Sequence, residues 1–436
     1  MSRSAWFSPP AGRRPAIVAG LRTPFVKSGT SFKKLLPLDL ARLCVTELVS
    51  RCGIDPVEID RIIYGQVVPT VEAPNIAREL LLSSSLPRSI DAYSVTRACA
   101  TSTQAFVNAC QAIAMGEADV VIAGGADSTS RPPITLSDNL TDALMVANSA
   151  RDTMGKARAF KHIRLKHFVP KPPALTERST GLTMGQSAEK MAKENGITRE
   201  AQDAFALRSH QRSTLGWEKG IYAQEVMHLA VPPKFEEVVA KDGFPRPDSS
   251  LEKLSQLKPA FDRKYGTITP GTSSPLTDGA SALLVMSEDK AKSLGFKPLA
   301  YLKSWAFAGI DPAWQMLMGP AFAAPKALDR AGLKLSDVDL VDMHEAFAAQ
   351  VLSNLQALAS ASWSAEHLGR PEAVGEVADE KLNIYGGSIS LGHPFGATGA
   401  RQLLTMSREL DRRGGGTALI TQCAAGGLGA AVILER

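Results

Sequence analysis

The feature that most narrows what this chain can fold into is a rhythm that occurs twice. In each half a loop leads into a helix-like run, and an apolar strand-like run follows and ends at paired glycines. The pairs are Gly124-Gly125 in the first half and Gly426-Gly427 in the second. Short apolar runs bounded by turn signals read as buried strands, and longer runs with apolar residues every three or four positions read as helices. By that rule "PAIVAGLRTPF" is strand-like, "LDLARLCVTELVSRCG" has helical spacing closed by glycine, and "IDRIIYGQVV" is again strand-like. "AYSVTRA" then leads to a helix over Ser102–Met115, and "ADVVIAGGAD" is a buried strand. The second half repeats the alternation from "PLAYLKSWAFAG" to "TALITQCAAGGLGAAVILE". The pattern predicts an α/β protein with a mainly parallel, helix-covered sheet built twice.

A chain of 436 residues is too long for one ordinary core. Over roughly residues 128–265 the rhythm breaks into prolines, long helical runs and polar loops such as "KDGFPRPDSS". A stretch of that length reads as an inserted loop or cap domain over a site. The expected division is an N-terminal half of residues 1–127 plus about 266–295, the insert 128–265, and a C-terminal half 296–436.

Composition excludes several classes. Hydrophobic residues are 44% and charged residues 21%, a globular balance. No run approaches the ~18 apolar residues of a membrane span. "MSRSAWFSPPAGRRP" lacks the apolar core of a secretory signal and reads as a loose tail, so the expected location is cytoplasmic, with mitochondrial as the alternative. Five cysteines at scattered positions fit neither a disulfide framework nor a zinc site, and no metal is expected. The net charge of +5 lacks the aromatic-studded basic stripe of nucleic-acid binders.

Three places concentrate reactive residues among small ones. Cys99 in "RACATSTQAF" stands at the N-terminal end of the helix expected over 102–115, where the dipole and free N–H groups favour a thiolate. His393 lies in "GHPFGATG", and Cys423 ends an apolar strand in "QCAAGGLG". Each alone has a packing reading. All three fall at loop–element junctions of a duplicated sheet, where α/β proteins place their sites.

The motifs "RACATS", "TSSPLTDGAS", "HEAFAAQ", "GGSISLGHPFGATGAR" and "CAAGGLGAA" occur together and in order. Through them the chain resembles the thiolase family over nearly its whole length, and more narrowly the β subunits of multienzyme fatty-acid oxidation complexes. The resemblance implies a duplicated five-layered α/β/α/β/α core with a loop domain inserted in the N-terminal half. It implies thiolytic cleavage of 3-ketoacyl-CoA, with coenzyme A as substrate and no bound cofactor. Cys99 would be the acylated nucleophile, His393 its base, and Cys423 the acid that protonates the acetyl-CoA enolate. The N–H groups of Cys99 and Ala425 would form one oxyanion hole; His393 and a water held from "HEAF" would form the other, with Glu345 in support. Two residues depart from the family pattern: His344 replaces asparagine, and Ala425 replaces glycine. Histidine titrates near neutrality, so the second hole is expected to be pH-sensitive, and alanine offers its N–H if its φ is negative. By the same analogy Ser274 and Arg246 meet coenzyme A, and Met184 and Met316 line the acyl pocket.

The basic, apolar segment 151–173, "RDTMGKARAFKHIRLKHFVPKPP", has no chemical role. It reads as a surface helix, a docking face for a partner subunit, or a contact with an anionic membrane surface. The resemblance implies a homodimeric core and a heterotetramer with an α subunit carrying hydratase and 3-hydroxyacyl-CoA dehydrogenase activities. Competing readings are a biosynthetic acetoacetyl-CoA thiolase and a non-catalytic acyl carrier. A decarboxylating ketoacyl synthase would need Cys-His-His where this chain has Cys-His-Cys.

Overall fold

The computed structural model describes residues 6–171 and 176–436. Residues 1–5 of the expected tail, and Pro172 and Pro173 of the basic segment, lie outside the described residues.

The N-terminal half opens with β1 (Pro15–Arg22), a two-residue β2 (Val26–Lys27) and α1 (Pro37–Cys52). Helix α1 starts where its sequence dictates: Pro37 occupies the first turn, and Asp39 accepts the Leu36 N–H at 2.9 Å. It stops at Gly53, whose φ of 68° needs no Cβ. Its buried residues Leu40, Ala41, Cys44, Val45, Leu48 and Val49 recur at helical spacing and face the sheet. Strand β3 (Arg61–Gly65), α2 (Ile76–Leu82), β4 (Asp91–Ser94), α3 (Thr101–Met115) and β5 (Val120–Ser128) follow.

The chain then leaves the sheet for a long insert. It holds α4 (Asp138–Ser149), α5 (Thr153–Ala159), α6 (Met184–Glu194), α7 (Arg199–Glu218), the ribbon β6 (Leu229–Ala230) with β7 (Val238–Val239), and α8 (Leu251–Ser255). Strand β8 (Thr277–Ser287) returns to the sheet and runs into α9 (Glu288–Ser293). Buried charges fasten the insert to the body. Arg22 of β1 forks onto Asp242 at 2.6 and 2.8 Å, and Glu225 accepts from Thr405 of the last helix at 2.8 Å.

The C-terminal half contains β9 (Ala300–Gly309), α10 (Pro312–Gln315), α11 (Gly319–Ala331), β10 (Leu340–Met343), α12 (Ala348–Ala359), α13 (Ala361–Leu368) and α14 (Ser388–Leu391). Helix α15 (Thr398–Arg413), β11 (Thr417–Ala424) and β12 (Leu428–Glu435) complete it. Strand order runs β4-β3-β5-β8-β1 in one half and β10-β11-β12-β9 in the other, joined by the short seam of β1 with β9. An isolated parallel bridge from Val341 to Leu382 stands where β4 stands in the first half, so the two orders correspond. The fold is built twice.

Apolar clusters define five layers. Helices α1 and α2 cover the outer face of the first half-sheet, α3 and α15 lie between the half-sheets, and α11 and α12 cover the second. The two middle helices approach closely: Ser102 Oγ accepts the Ala400 N–H at 2.9 Å, and a Cβ on Gly399 would lie 2.2 Å from Thr103 Oγ1.

Three expectations need correction. The sheet is mixed: β3 pairs with β4 and β5, and β10 with β11, in parallel, while β8 and β12 pair antiparallel with both neighbours. A three-residue turn joins β11 to β12, and so tight a link connects only antiparallel strands. The glycine pairs are also not equivalent. Gly426 and Gly427 form that turn with φ of 80° and 69°, whereas Gly124 and Gly125 lie inside β5, where a Cβ on Gly125 would meet the Gly396 carbonyl oxygen at 2.1 Å. Finally, the tail is packed from residue 6. Trp6 and Phe7 set their rings 4.7 and 4.9 Å from Trp305, and the Arg330 guanidinium lies 4.1 Å from the Trp6 ring.

Candidate active site

Cys99 sits in a turn wound around Thr101, between β4 and α3. Thr101 donates its hydroxyl to the Ala98 carbonyl at 2.7 Å and accepts the Arg97 N–H at 2.9 Å. Ala98 is held at φ 43°, a conformation that costs a residue with a Cβ and that recurs at functional turns. The turn presents Cys99, half-buried, to a largely apolar cavity of about 240 Å³ whose walls include Val67, Val68, Met184, Phe395 and Ala425.

Burial pushes the Cys99 thiol up to about 12, against the pull of the Ala425 N–H hydrogen-bonded to its sulfur. The expected thiolate is therefore replaced by a neutral thiol: desolvation outweighs the helix terminus. Such a thiol becomes a nucleophile by giving its proton to a base as it attacks.

The GHPFG loop carries His393. Gly392, at φ 98°, turns the chain, and the His393 N–H donates to Thr277 Oγ1 at 3.0 Å. Thr398 Oγ1 donates to the Pro394 carbonyl at 3.0 Å, so it accepts from His393 Nδ1 at 2.7 Å. That assigns the proton to Nδ1 and leaves the Nε2 lone pair buried and without a partner. Burial, then the Arg401 charge, lowers the His393 pKa to about 3, so the imidazole rests neutral.

The His344 ring lies 4.2 Å from the His393 ring, centroid to centroid, tilted by 45°, with Nδ1 3.0 Å from Ser388 Oγ and Nε2 again unpartnered. The expected titration near neutrality does not hold here. Burial, the His393 ring and Arg401 lower its pKa well below the ordinary value. Glu345 is fully committed elsewhere: it accepts from Ser209 Oγ at 2.6 Å, Asn383 Nδ2 at 2.8 Å and the Ile389 N–H at 3.2 Å. Its carboxylate holds the segment from 383 to 389 that leads to His393.

Cys423, near the end of β11, is buried, and its thiol is raised by desolvation and then by Cys99. Gln422 ties the two cysteine segments together, accepting from Thr103 and lying 3.5 Å from the Cys99 carbonyl oxygen. Positive φ falls on Gly426 and Gly427 and not on Ala425, so alanine is compatible with the turn.

A second cavity, of about 280 Å³, is lined by Arg246, Lys253, His210, Phe244, Leu254 and Ser273, among others. Phe244 also packs on Gly392, so this cavity adjoins the His393 loop. The structure thus sets Cys99, Ala425 and Met184 in the wall of one cavity, Cys423 near Cys99, His393 against the wall residue Phe395 with His344 next to it, and Arg246 in the wall of the other. Ser274 bonds Ala346 through its N–H at 2.9 Å, and it is its neighbour Ser273 that lines the second cavity. Met316 is 1% exposed in the apolar core that the C-terminal half shares with the insert, and it lines neither cavity. Residues the sequence reading passed over are Thr398, His210, Val67, Val68 and Asp127. Asp127 had a signal: it is the one acid in the apolar run "VVIAGGADS", and a buried carboxylate needs donors.

Among the described residues no group of three or more His, Cys, Asp or Glu is placed to hold a metal ion, and no helix is long and apolar enough to cross a membrane.

A duplicated five-layered core that brings Cys99 and Cys423 together, with His393 on a glycine-rich loop, defines a class, and the chain belongs to the thiolase family. Residues 15–289 match the family description Thiolase, N-terminal domain, and residues 296–436 match Thiolase, C-terminal domain. Within the family it is 52% identical to the 3-ketoacyl-CoA thiolase of Shewanella woodyi and 51% identical to that of Yersinia enterocolitica, over 97% of each chain. Among solved structures it resembles human mitochondrial 3-ketoacyl-CoA thiolase in complex with CoA, with a TM-score of 0.82, 31% identity and 98% of both chains covered. A Bacillus anthracis acetyl-CoA acetyltransferase aligns with a TM-score of 0.82 at 33% identity, covering 97% of this chain and 98% of that one.

Proposed function

We propose that this protein is a 3-ketoacyl-CoA thiolase that cleaves 3-ketoacyl-CoA with coenzyme A in fatty-acid β-oxidation. The observation that carries the reading is the setting of Cys99: an apolar cavity in front, the Ala425 N–H on its sulfur, and Cys423 behind.

Cys99 Sγ attacks the 3-keto carbon while its proton passes to His393 Nε2, the lone pair left free by Thr398. The oxyanion that forms is held by N–H groups, a stabilisation usually worth several kcal/mol. Collapse breaks the bond between C2 and C3, leaving an acyl thioester on Cys99 and the enolate of acetyl-CoA. Cys423 protonates C2. Coenzyme A then attacks the thioester, its thiol proton going to the Cys423 thiolate, and the His393 imidazolium returns a proton to the Cys99 sulfur. Every group ends as it began.

The cavity with Arg246 and Lys253 among apolar walls suits a phosphate-bearing pantetheine arm. The identities near 52% favour ketoacyl cleavage over acetoacetyl-CoA synthesis. We also propose a homodimeric core that joins a hydratase/3-hydroxyacyl-CoA dehydrogenase α subunit in the cytoplasm. The exposed apolar residues Leu165, Phe168 and Met154, set among lysines and arginines, support a docking role for this face, with anionic membrane contact as the second reading.

The test is to incubate the protein with a long-chain 3-ketoacyl-CoA without free coenzyme A and to take its intact mass. The expected adduct is an acyl group two carbons shorter than the substrate, mapped to Cys99 and absent in Cys99→Ala. Substrate bound without an adduct would make the protein a non-catalytic acyl carrier.

A further inference from the structure

We propose that Asp127 is a positioning residue that clamps the wall of the acyl cavity to the loop carrying His393, so that chain binding and base placement are set together. The proposal rests on the thiolase reading above for its kinetic consequences, but its geometry stands without it. Asp127 lies one residue from the end of β5 and is fully buried. One carboxylate oxygen accepts the N–H groups of Val67 and Val68 at 3.0 and 2.8 Å. The other accepts the Gly396 N–H at 2.6 Å and is 3.1 Å from the Val67 nitrogen. Val67 and Val68 form one side of the cavity in front of Cys99, and Phe395, which adjoins Gly396, forms another. One side chain therefore joins two walls that are remote in sequence.

The site is built for this contact. A Cβ on Gly396 would lie 2.9 Å from the Asp127 oxygen, and one on Gly125 would strike the Gly396 carbonyl, so both positions are glycine where the loop meets the strand. Among the described residues no lysine, arginine or histidine pairs with Asp127; backbone N–H groups alone face it. A buried carboxylate without a cation is costly, and burial lifts this one to about 7 despite its donors. An amide of the same size cannot replace it. Asparagine has one acceptor oxygen, so whichever way it turns, its NH2 faces either Gly396 N–H or the Val67 and Val68 N–H groups.

The test compares wild type, Asp127→Asn and Asp127→Glu as the full chain, with acetoacetyl-CoA and 3-ketohexadecanoyl-CoA, alongside hydrogen exchange by mass spectrometry without substrate. For Asp127→Asn, kcat is expected to fall roughly 10- to 100-fold on both substrates, the scale of a small misplacement of a catalytic group. KM is expected to rise several-fold for the long chain only. Exchange is expected to quicken in the segments around 66–69 and 393–397 together, while glutamate, which keeps both acceptor oxygens, restores part of kcat and of the protection. Unchanged kinetics with only a lower melting temperature would overturn the proposal by making Asp127 merely structural. Faster exchange in one segment alone would overturn it too. If the wild type turns over neither substrate, the thiolase reading fails and the exchange comparison decides the clamp by itself, joint loss supporting it and any other pattern sinking it. If Asp127→Asn does not fold, Asp127→Glu decides in its place: a lengthened clamp should shift long-chain KM and both protected segments, and wild-type behaviour in both would reject it.

Discussion

His210 shows how one buried side chain makes this fold sensitive to acid. It is 5% exposed, its Nδ1 has no partner, and burial followed by the Arg246 charge lowers its pKa from 6.5 to about 4. Between those values the unfolded chain binds a proton at this residue that the folded chain does not. Stability is therefore lost as pH falls from ~6.5 toward ~4, and the loss at pH 5 is about 2 kcal/mol. His210→Gln removes it. Urea denaturation at pH 7.5 and pH 5 should show a smaller drop for the variant than for wild type; equal drops would reject the assignment. Residues of this kind were not legible in the sequence, because nothing in "LRSHQRS" distinguishes a histidine facing water from one sealed against a cavity. Cys99, His393 and Cys423 stood out as candidates because glycine and small residues around a reactive group signal tight turns at element ends, and their proposed roles came from the family resemblance. The protonation states of Cys99 and His344 were not legible, since desolvation depends on what the rest of the chain packs around them.

At the scale of elements, the contact between α3 and α15 governs the site, because the Cys99 and His393 loops enter these two helices. Gly399 permits the contact. A methyl there would lie 2.2 Å from Thr103 Oγ1 and 2.8 Å from the Thr103 nitrogen, and the second of these is backbone that cannot swing aside. Gly399→Ala is expected to destabilise the protein by about 1–3 kcal/mol and to lower kcat more than it raises KM. Denaturation and steady-state kinetics on the same preparation check both; a variant with wild-type kcat would disconnect the helix contact from the chemistry. The helices themselves were readable from spacing and caps, and α3 begins at Thr101, one residue from its expected start. The mixed direction of the strands was not readable, because a buried apolar run looks the same whichever way its neighbour points. The turn at Gly426 and Gly427 holds that information, but in sequence its glycines look the same as Gly124 and Gly125, which serve a different purpose inside β5.

For the whole molecule, the exposed face of the insert is the part that the chemistry leaves unused. Leu165 is 89% exposed, a degree that solvent alone does not favour for a large apolar side chain so close to other exposed apolar residues. Co-expression with a hydratase/dehydrogenase α subunit should yield a heterotetramer by light scattering. The pair Leu165→Ser with Phe168→Ser should leave a homodimer that retains thiolase turnover. Recovery of the homodimer alone from wild type would remove the partner reading. The sequence marked this face through its charge and apolar content, and the proposal of an α subunit as its occupant rests on the family resemblance.

The duplication has a further consequence for how the reaction could be lost or regained. Cys99 and His393 precede matching helices, α3 and α15, one in each copy of the repeated unit, so neither copy holds both. Their pairing is a property of the joint. Its gauge is an absent carbon at Gly399, the spacer that fixes how far apart two loops remote in sequence come to rest.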